Sequence, residues 1–100
     1  MSEIVKWTTP SITYTFSVVR VSEITEAKLT ITHRTGQIIK TLSDAEVGQS
    51  TLTWTLTQEE TGALHNYVSI MLNYLLQDGT RGASEKSRVL IVGNDYNEVI

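Results

Sequence analysis

The sequence has 100 residues, 40% of them apolar and 19% charged, which is the size and composition of one globular domain and argues against a disordered chain. Its formal net charge is −3 and its eight basic residues are scattered, so it lacks the positive field that nucleic-acid binding requires. It contains no cysteine, which excludes disulfides and cysteine-based metal sites.

Three strands are predicted in the first third of the chain. The first covers 3–7 and ends before Pro10, because proline cannot donate a hydrogen bond to a neighbouring strand. The second covers 12–19, where large apolar residues recur at every second position. A polar, irregular stretch follows, and the third strand begins at Ala27.

A hairpin is predicted after the third strand. Gly36 precedes a fourth strand at 37–42, and we expect this glycine to supply the positive φ that many tight hairpin loops require. A connecting loop that contains Gly48 is predicted over 43–49.

The most regular pattern in the chain is Thr-Leu-Thr-Trp-Thr-Leu-Thr at 51–57. Successive strand side chains point to opposite faces, so Leu52, Trp54 and Leu56 share one face and the threonines share the other. A strand with one apolar and one polar face is typical of an antiparallel sheet. Strands of parallel sheets are buried on both faces, so their sequences are continuous apolar runs. We expect Trp54 in the core.

A short helical turn is predicted near 58–63. Thr57 and Glu60 have the spacing of a capping box, in which each side chain accepts a hydrogen bond from the backbone N–H of the other. Acidic residues are favoured in a first helical turn, which explains Glu59 and Glu60 without an active site.

The longest strand is predicted over 66–76, and it has one face that is wholly apolar. The opposite face carries Tyr67, Met71 and Leu75 between polar residues. An apolar row of this kind on the outside of a monomer usually marks an interface, so these three residues are our main interface candidates.

The remaining segments complete a single domain over 1–100. Asp78-Gly79 predicts a type I′ hairpin turn, and the last strand should run from about 83 to 92. We expect 93–100 to form a loose tail. About seven strands joined by short turns predict an all-β fold and are typical of an immunoglobulin-like sandwich or a small barrel. Of the two we favour an antiparallel immunoglobulin-like β-sandwich with one helical turn.

The pattern gives little support to catalysis or to metal binding. His33 and His65 are the only histidines, and they lack the spacing of a metal site or a catalytic pair. Asp95 and Glu98 lack the twelve-residue calcium loop. We therefore predict a protein that is not an enzyme and has no cofactor. A hydrolase is the least favoured hypothesis.

Exposed aromatic residues leave a second function open. Many β-sandwich modules bind carbohydrate on aromatic platforms, and Trp7 and Tyr67 are the candidates for such a platform here. A small carbohydrate-binding β-sandwich module is thus the alternative function. Trp7 is also the fourth interface candidate.

No targeting segment is recognisable. The first residues have neither the basic region nor the apolar run of a signal peptide. The longest apolar-rich run, 67–76, is far shorter than the roughly 20 residues of a membrane helix. We expect no signal peptide, no transmembrane segment and no membrane partner.

Three stretches carry a family resemblance: 7–16 (WTTPSITYTF), 24–31 (ITEAKLTI) and 51–61 (TLTWTLTQEET). They resemble small proteins encoded in prophage tail regions, and the chain is similar over nearly its whole length to the immunoglobulin-like N-terminal domain of phage baseplate upper proteins. The resemblance implies a structural virion protein or an assembly factor, located in the virion or in the host cytoplasm during assembly. Its implied partners are other phage structural proteins, with a homo-oligomer as a further possibility.

Overall fold

The structure is a computed structural model that describes residues 3–100. In that part of the chain nine strands form two packed sheets. The strands are β1 (Glu3–Val5), β2 (Ser11–Thr15), β3 (Ile24–His33), β4 (Gly36–Thr41), β5 (Glu46–Val47), β6 (Thr51–Thr55), β7 (Tyr67–Leu76), β8 (Arg81–Ala83) and β9 (Ser87–Val92). The α-helix α1 covers Gln58–Gly62, and 3₁₀ turns cover Val21–Glu23 and Leu42–Asp44.

The large sheet has the strand order β1-β9-β7-β3-β4, and β8 pairs with the C-terminal half of β7. The small sheet has the order β2-β6-β5. The all-β, sandwich-like prediction is confirmed, but a purely antiparallel arrangement is wrong, because β1 and β9 pair in parallel. Parallel neighbours cannot be joined by a hairpin, and these two strands come from opposite ends of the described chain.

The core lies between the inner faces of the two sheets. Leu52, Trp54 and Leu56 are fully buried, which confirms the predicted inward face of this segment. The Trp54 ring meets Tyr14 edge-on at 6.3 Å between centroids, and its Nε1–H donates to the Thr41 carbonyl oxygen at 2.9 Å. The one polar atom of this large side chain is therefore satisfied inside the core.

The predicted helical turn and its capping box are confirmed. The Thr57 hydroxyl accepts from the Glu60 N–H at 3.1 Å, and the Glu60 carboxylate accepts from the Thr57 N–H at 2.8 Å. One turn later the hydroxyl of the buried Thr61 accepts from the Thr8 N–H at 3.1 Å and donates to the Thr8 carbonyl at 2.8 Å. These two bonds attach the segment that precedes β2 to α1.

The hairpin between β3 and β4 forms as predicted, but Gly36 does not have a positive φ. Gly36 is the first residue of β4 and lies opposite His33, so the loop consists of Arg34 and Thr35 alone. Gly36 is therefore the first paired residue of β4 and not, as the sequence predicts, part of the loop.

The turn after β7 is also different from the prediction. Gly79 has φ +87°, but Asp78 does not have a positive φ, so a type I′ turn is excluded. The Leu76 N–H donates to the Thr80 carbonyl at 2.9 Å, which closes a three-residue loop. Loops of this length typically place one left-handed glycine at the third position.

Several predicted strands are shorter than the pattern suggests, and the second and the last differ most. The second ends at Thr15, and Val18 is 94% exposed in the loop that follows. The last begins at Ser87 instead of near 83. At Ser84 the N–H donates to the Leu72 carbonyl at 2.8 Å and the hydroxyl accepts from the Leu72 N–H at 2.9 Å. The Ser84 side chain replaces a strand backbone group there. The short strand β8 and the two-residue β5, which lies in the predicted loop 43–49, raise the strand number from the predicted seven to nine.

The segment 93–100 follows β9 along the surface. The Asn94 side-chain amide donates to the Lys6 carbonyl at 2.9 Å, and the Ile100 N–H donates to the Gln58 side-chain oxygen at 2.8 Å. Among residues 3–100, no helix combines the length and the apolar character needed to span a membrane.

Candidate interaction surface

Three of the four predicted interface residues share one face of the large sheet. In β7 the residues Val68 and Ile70 are buried against the small sheet, and side chains alternate from there along the strand. Tyr67, Met71 and Leu75 therefore project from the side that faces away from the small sheet, which we call the outer face.

Pairing between strands adds further apolar residues to the outer face. Met71 lies opposite Thr30, which in turn lies opposite Ile39 on β4, so these three side chains form one row. Ile39 is 53% exposed and Tyr67 is 51% exposed. We call the apolar residues of this face the outer apolar set, which consists of Val5, Ile39, Tyr67, Met71, Leu75, Leu90 and Val92.

Tyr67 is held in place by a neighbouring cation. The Arg88 guanidinium carbon lies 3.9 Å from the centroid of the Tyr67 ring, within the range of a cation–π interaction. Arg88 pairs with Ser69 on β7, so it reaches the tyrosine diagonally across the two strands. The ring is therefore oriented on the surface, with one of its faces occupied.

The outer face becomes charged near the end of β7. Leu75 lies between Glu26 on β3 and Arg81 on β8, and with Lys28 these residues line a shallow depression of about 300 Å³. The Arg81 guanidinium donates to the Asn73 side-chain oxygen at 3.2 Å. Apolar side chains bordered by charges of both signs match the usual anatomy of a protein interface.

Trp7 does not belong to the outer face. It has φ +64°, which turns the chain away from β1 toward α1, and its side chain is half-buried. A Cβ placed on Gly62 would lie 2.7 Å from three atoms of the Trp7 ring, so the ring packs directly on the glycine. The fourth interface candidate is thus separated from the other three by its packing on α1.

The two histidines, which are distant in sequence, line one surface depression of about 440 Å³ together with Arg34 and Asn66. The Lys6 ammonium donates to His65 Nδ1 at 3.1 Å, and the Thr35 hydroxyl lies 3.2 Å from His33 Nδ1. Within residues 3–100, no group of three histidine or acidic side chains is arranged to hold a metal ion.

Comparison with known proteins adds no relative to this picture. No protein-family model, curated protein or solved structure matches the chain.

Proposed function

We propose that this chain is a non-enzymatic structural or assembly protein of a phage or prophage tail or baseplate that acts through protein–protein contact. The observation that carries the proposal is the outer apolar set, in which Ile39 and Tyr67 each expose about half of their surface. Large apolar side chains collected on one face of a small protein usually mark a contact surface. The tail context is supported by the resemblance of 7–16, 24–31 and 51–61, and it implies a location in the virion or in the assembling host cell.

The proposed partner at the outer face is another structural protein of the tail. Tyrosine and methionine are enriched at protein interfaces, and Tyr67 is already oriented by Arg88 before any partner binds. The mixed charges of Glu26, Lys28 and Arg81 at the end of the face suit it for fixing the orientation of a partner more than for adding affinity.

The use of the carboxylates supports a structural role. Backbone and hydroxyl hydrogen bonds from Thr41 hold the pKa of Asp44 below its ordinary value, and bonds from Thr80 lower the pKa of Asp78 in the same way. Both acids are thus occupied in closing turns. Glu60 is occupied in capping α1.

The carbohydrate-binding alternative has less support. The Trp7 ring is packed on Gly62, and Arg88 covers one side of the Tyr67 ring. The other side of the Tyr67 ring stays open, but Trp7 lies on α1 away from the outer face, so the two rings do not form one stacking platform. If glycan-array binding were found and were lost in Trp7→Ala, the alternative would be favoured.

The test measures binding to the purified products of the genes that flank this one. Tyr67→Ser and Met71→Ser remove apolar area from the outer face, and truncating one central anchor should weaken binding about tenfold or more. Tyr96→Ser is the matched control, because Tyr96 is 54% exposed and follows β9 instead of lying on a strand of the large sheet.

The proposal predicts at least one flanking product that binds the wild type and the Tyr96→Ser variant equally, and that binds the two outer-face variants less. Equal binding by all four proteins would move the contact away from the outer face. Failure of every flanking structural product to bind would contradict the proposed role.

A further inference from the structure

Strand β4 is an unpaired edge of the large sheet. It has six residues and pairs with β3 alone, and it is longer than the other edge strands within residues 3–100, which are β1, β2, β5 and β8. Its pairing with β3 runs without a bulge, and it contains no proline. Bulges, prolines and inward-pointing charges are common devices that prevent edge strands from pairing with another chain. β4 has no bulge and no proline, and its inward-pointing charge, Lys40, is paired with Glu60.

The free backbone groups of β4 can be identified from Thr41. Its N–H donates to the Asp44 carboxylate at 2.8 Å and its carbonyl accepts from Trp54 Nε1, so both groups point away from β3. Backbone groups alternate in direction along an antiparallel strand. The N–H and C=O groups of Ile39 and Gln37 therefore also point to the open edge.

We propose that β4 pairs in antiparallel fashion with β4 of a second copy of this chain, with the two-fold axis at Ile38. In this register Gln37 of each copy faces Ile39 of the other, and all four free backbone groups of each strand find a partner. A shift of two residues would place Thr41, whose groups are already used, or Thr35 of the turn opposite these positions. Either shift would forfeit hydrogen bonds.

The side chains also fit this register. Ile38 meets Ile38 of the second copy on the inner side, next to the core that it already contacts. Lys40 is the only charged residue of β4, and it faces Gly36 of the second copy, which has no side chain. Lys40 is also neutralised by Glu60 at 2.6 Å. No like charges therefore meet across the pair.

This inference rests on the proposed function for its premise that the chain works by protein contact, and it identifies the partner at the edge as a second copy. The two surfaces share Ile39, but pairing along the edge of β4 leaves Tyr67 and Met71 of β7 open to a tail protein.

The first test is the mass of the protein in solution by light scattering, over a range of concentrations. The wild type should reach twice the mass of one chain. Ile39→Pro removes an edge-facing N–H and leaves the bonds to β3 intact, so it should be monomeric with an unchanged circular dichroism spectrum. Ile39→Val keeps the N–H and is the matched control, which should dimerise.

The second test uses single cysteines, since the chain has none of its own. Ile38→Cys should cross-link under mild oxidation, because two residues facing each other at a non-hydrogen-bonded pair have Cα atoms about 4.5 Å apart, close enough for a disulfide. Gln37→Cys should not, because it faces Ile39 of the second copy. This test keeps the inference testable if Ile39→Pro does not fold.

A wild type that is monomeric at every concentration would overturn edge pairing and leave the outer-face proposal standing. Because Ile39 also lies on the outer face, a dimer that is lost in Met71→Ser would place the self-contact on the outer face and also overturn edge pairing. Cross-linking of Gln37→Cys as fast as Ile38→Cys would overturn the register.

Discussion

The Lys40 ammonium lies 2.6 Å from a carboxylate oxygen of Glu60, although the two residues come from different parts of the sandwich. Lys40 belongs to the edge strand of the large sheet, whereas Glu60 belongs to the helix that follows the small sheet. The Lys40 side chain is 18% exposed and that of Glu60 is 24% exposed, so the pair is largely shielded from water. Since Glu60 also caps α1, one carboxylate connects the helix start to the sheet edge.

The stability contributed by Glu60 should depend on pH. Burial alone would raise the pKa of Glu60, but hydrogen bonds from Lys40 and Thr57 outweigh it and the pKa is lowered. A carboxyl whose pKa is depressed by folding contributes its stability above the unfolded pKa of about 4.3 and loses it as the pH falls through the lower folded value.

Urea unfolding of the wild type and Glu60→Gln, from neutral pH to about pH 3, checks this prediction. Glutamine keeps the capping geometry and removes the charge, so the difference in free energy of unfolding should be largest near neutral pH and should shrink in acid. Glu59→Gln, an exposed neighbour in the same helix, should show no comparable trend. A difference that stays constant across the pH range would contradict the prediction.

Gly62→Ala should destabilise the protein by about 1–3 kcal/mol, because the new methyl group would displace the Trp7 ring. The expected sign is opposite to helix propensity, which favours alanine over glycine by about 1 kcal/mol. Thermal unfolding together with tryptophan fluorescence measures the effect. Gly93→Ala is the control, since its Cβ would meet no atom within 4 Å. An unchanged or higher stability of Gly62→Ala would show that Trp7 moves aside freely.

Thr61→Val should cost about 1–3 kcal/mol in the free energy of unfolding. Valine has nearly the same shape, but it leaves the N–H and the carbonyl of Thr8 without the bonds that the Thr61 hydroxyl provides. Thr13→Val on the outer side of the small sheet is the matched control. It removes an exposed hydroxyl that lies 3.0 Å from Thr53 Oγ1, and its effect should stay within about 0.5 kcal/mol. Equal effects of the two substitutions in chemical denaturation would contradict the role of Thr61.

Trp54→Phe should lower the free energy of unfolding by about 2–4 kcal/mol. The substitution leaves a cavity beside Tyr14 and removes the hydrogen bond to the Thr41 carbonyl. Urea unfolding monitored by circular dichroism is the appropriate measurement, because the variant loses one of its two tryptophans. A loss below about 1 kcal/mol would mean that the core closes around the smaller ring.

The sequence predicts well those features that depend on neighbouring residues. Alternation around Trp54 identifies a core strand, and the spacing of Thr57 and Glu60 identifies a helix start, because both effects act over a few residues. The common face of Tyr67, Met71 and Leu75 follows from the same alternation.

Features that depend on pairing between distant strands could not be read from the sequence. Ile39 joins Met71 in one row through the register of two strand pairs, and no local pattern encodes that register. The exposure of Trp7 was unpredictable for a similar reason, because its ring is covered by Gly62, which lies more than fifty residues later.

The parallel pair β1–β9 has a consequence for how the chain folds. Glu3 lies opposite Leu90, so closing this edge of the sheet joins two segments separated by nearly the whole chain. Contacts of such long sequence separation slow folding, because the entropy of closing the loop must be overcome before the contact stabilises the fold. During synthesis β1 leaves the ribosome before β9 has been made, so β1 stays unpaired until then. The edge occupied by β1 is therefore expected to be the last part of the domain to close.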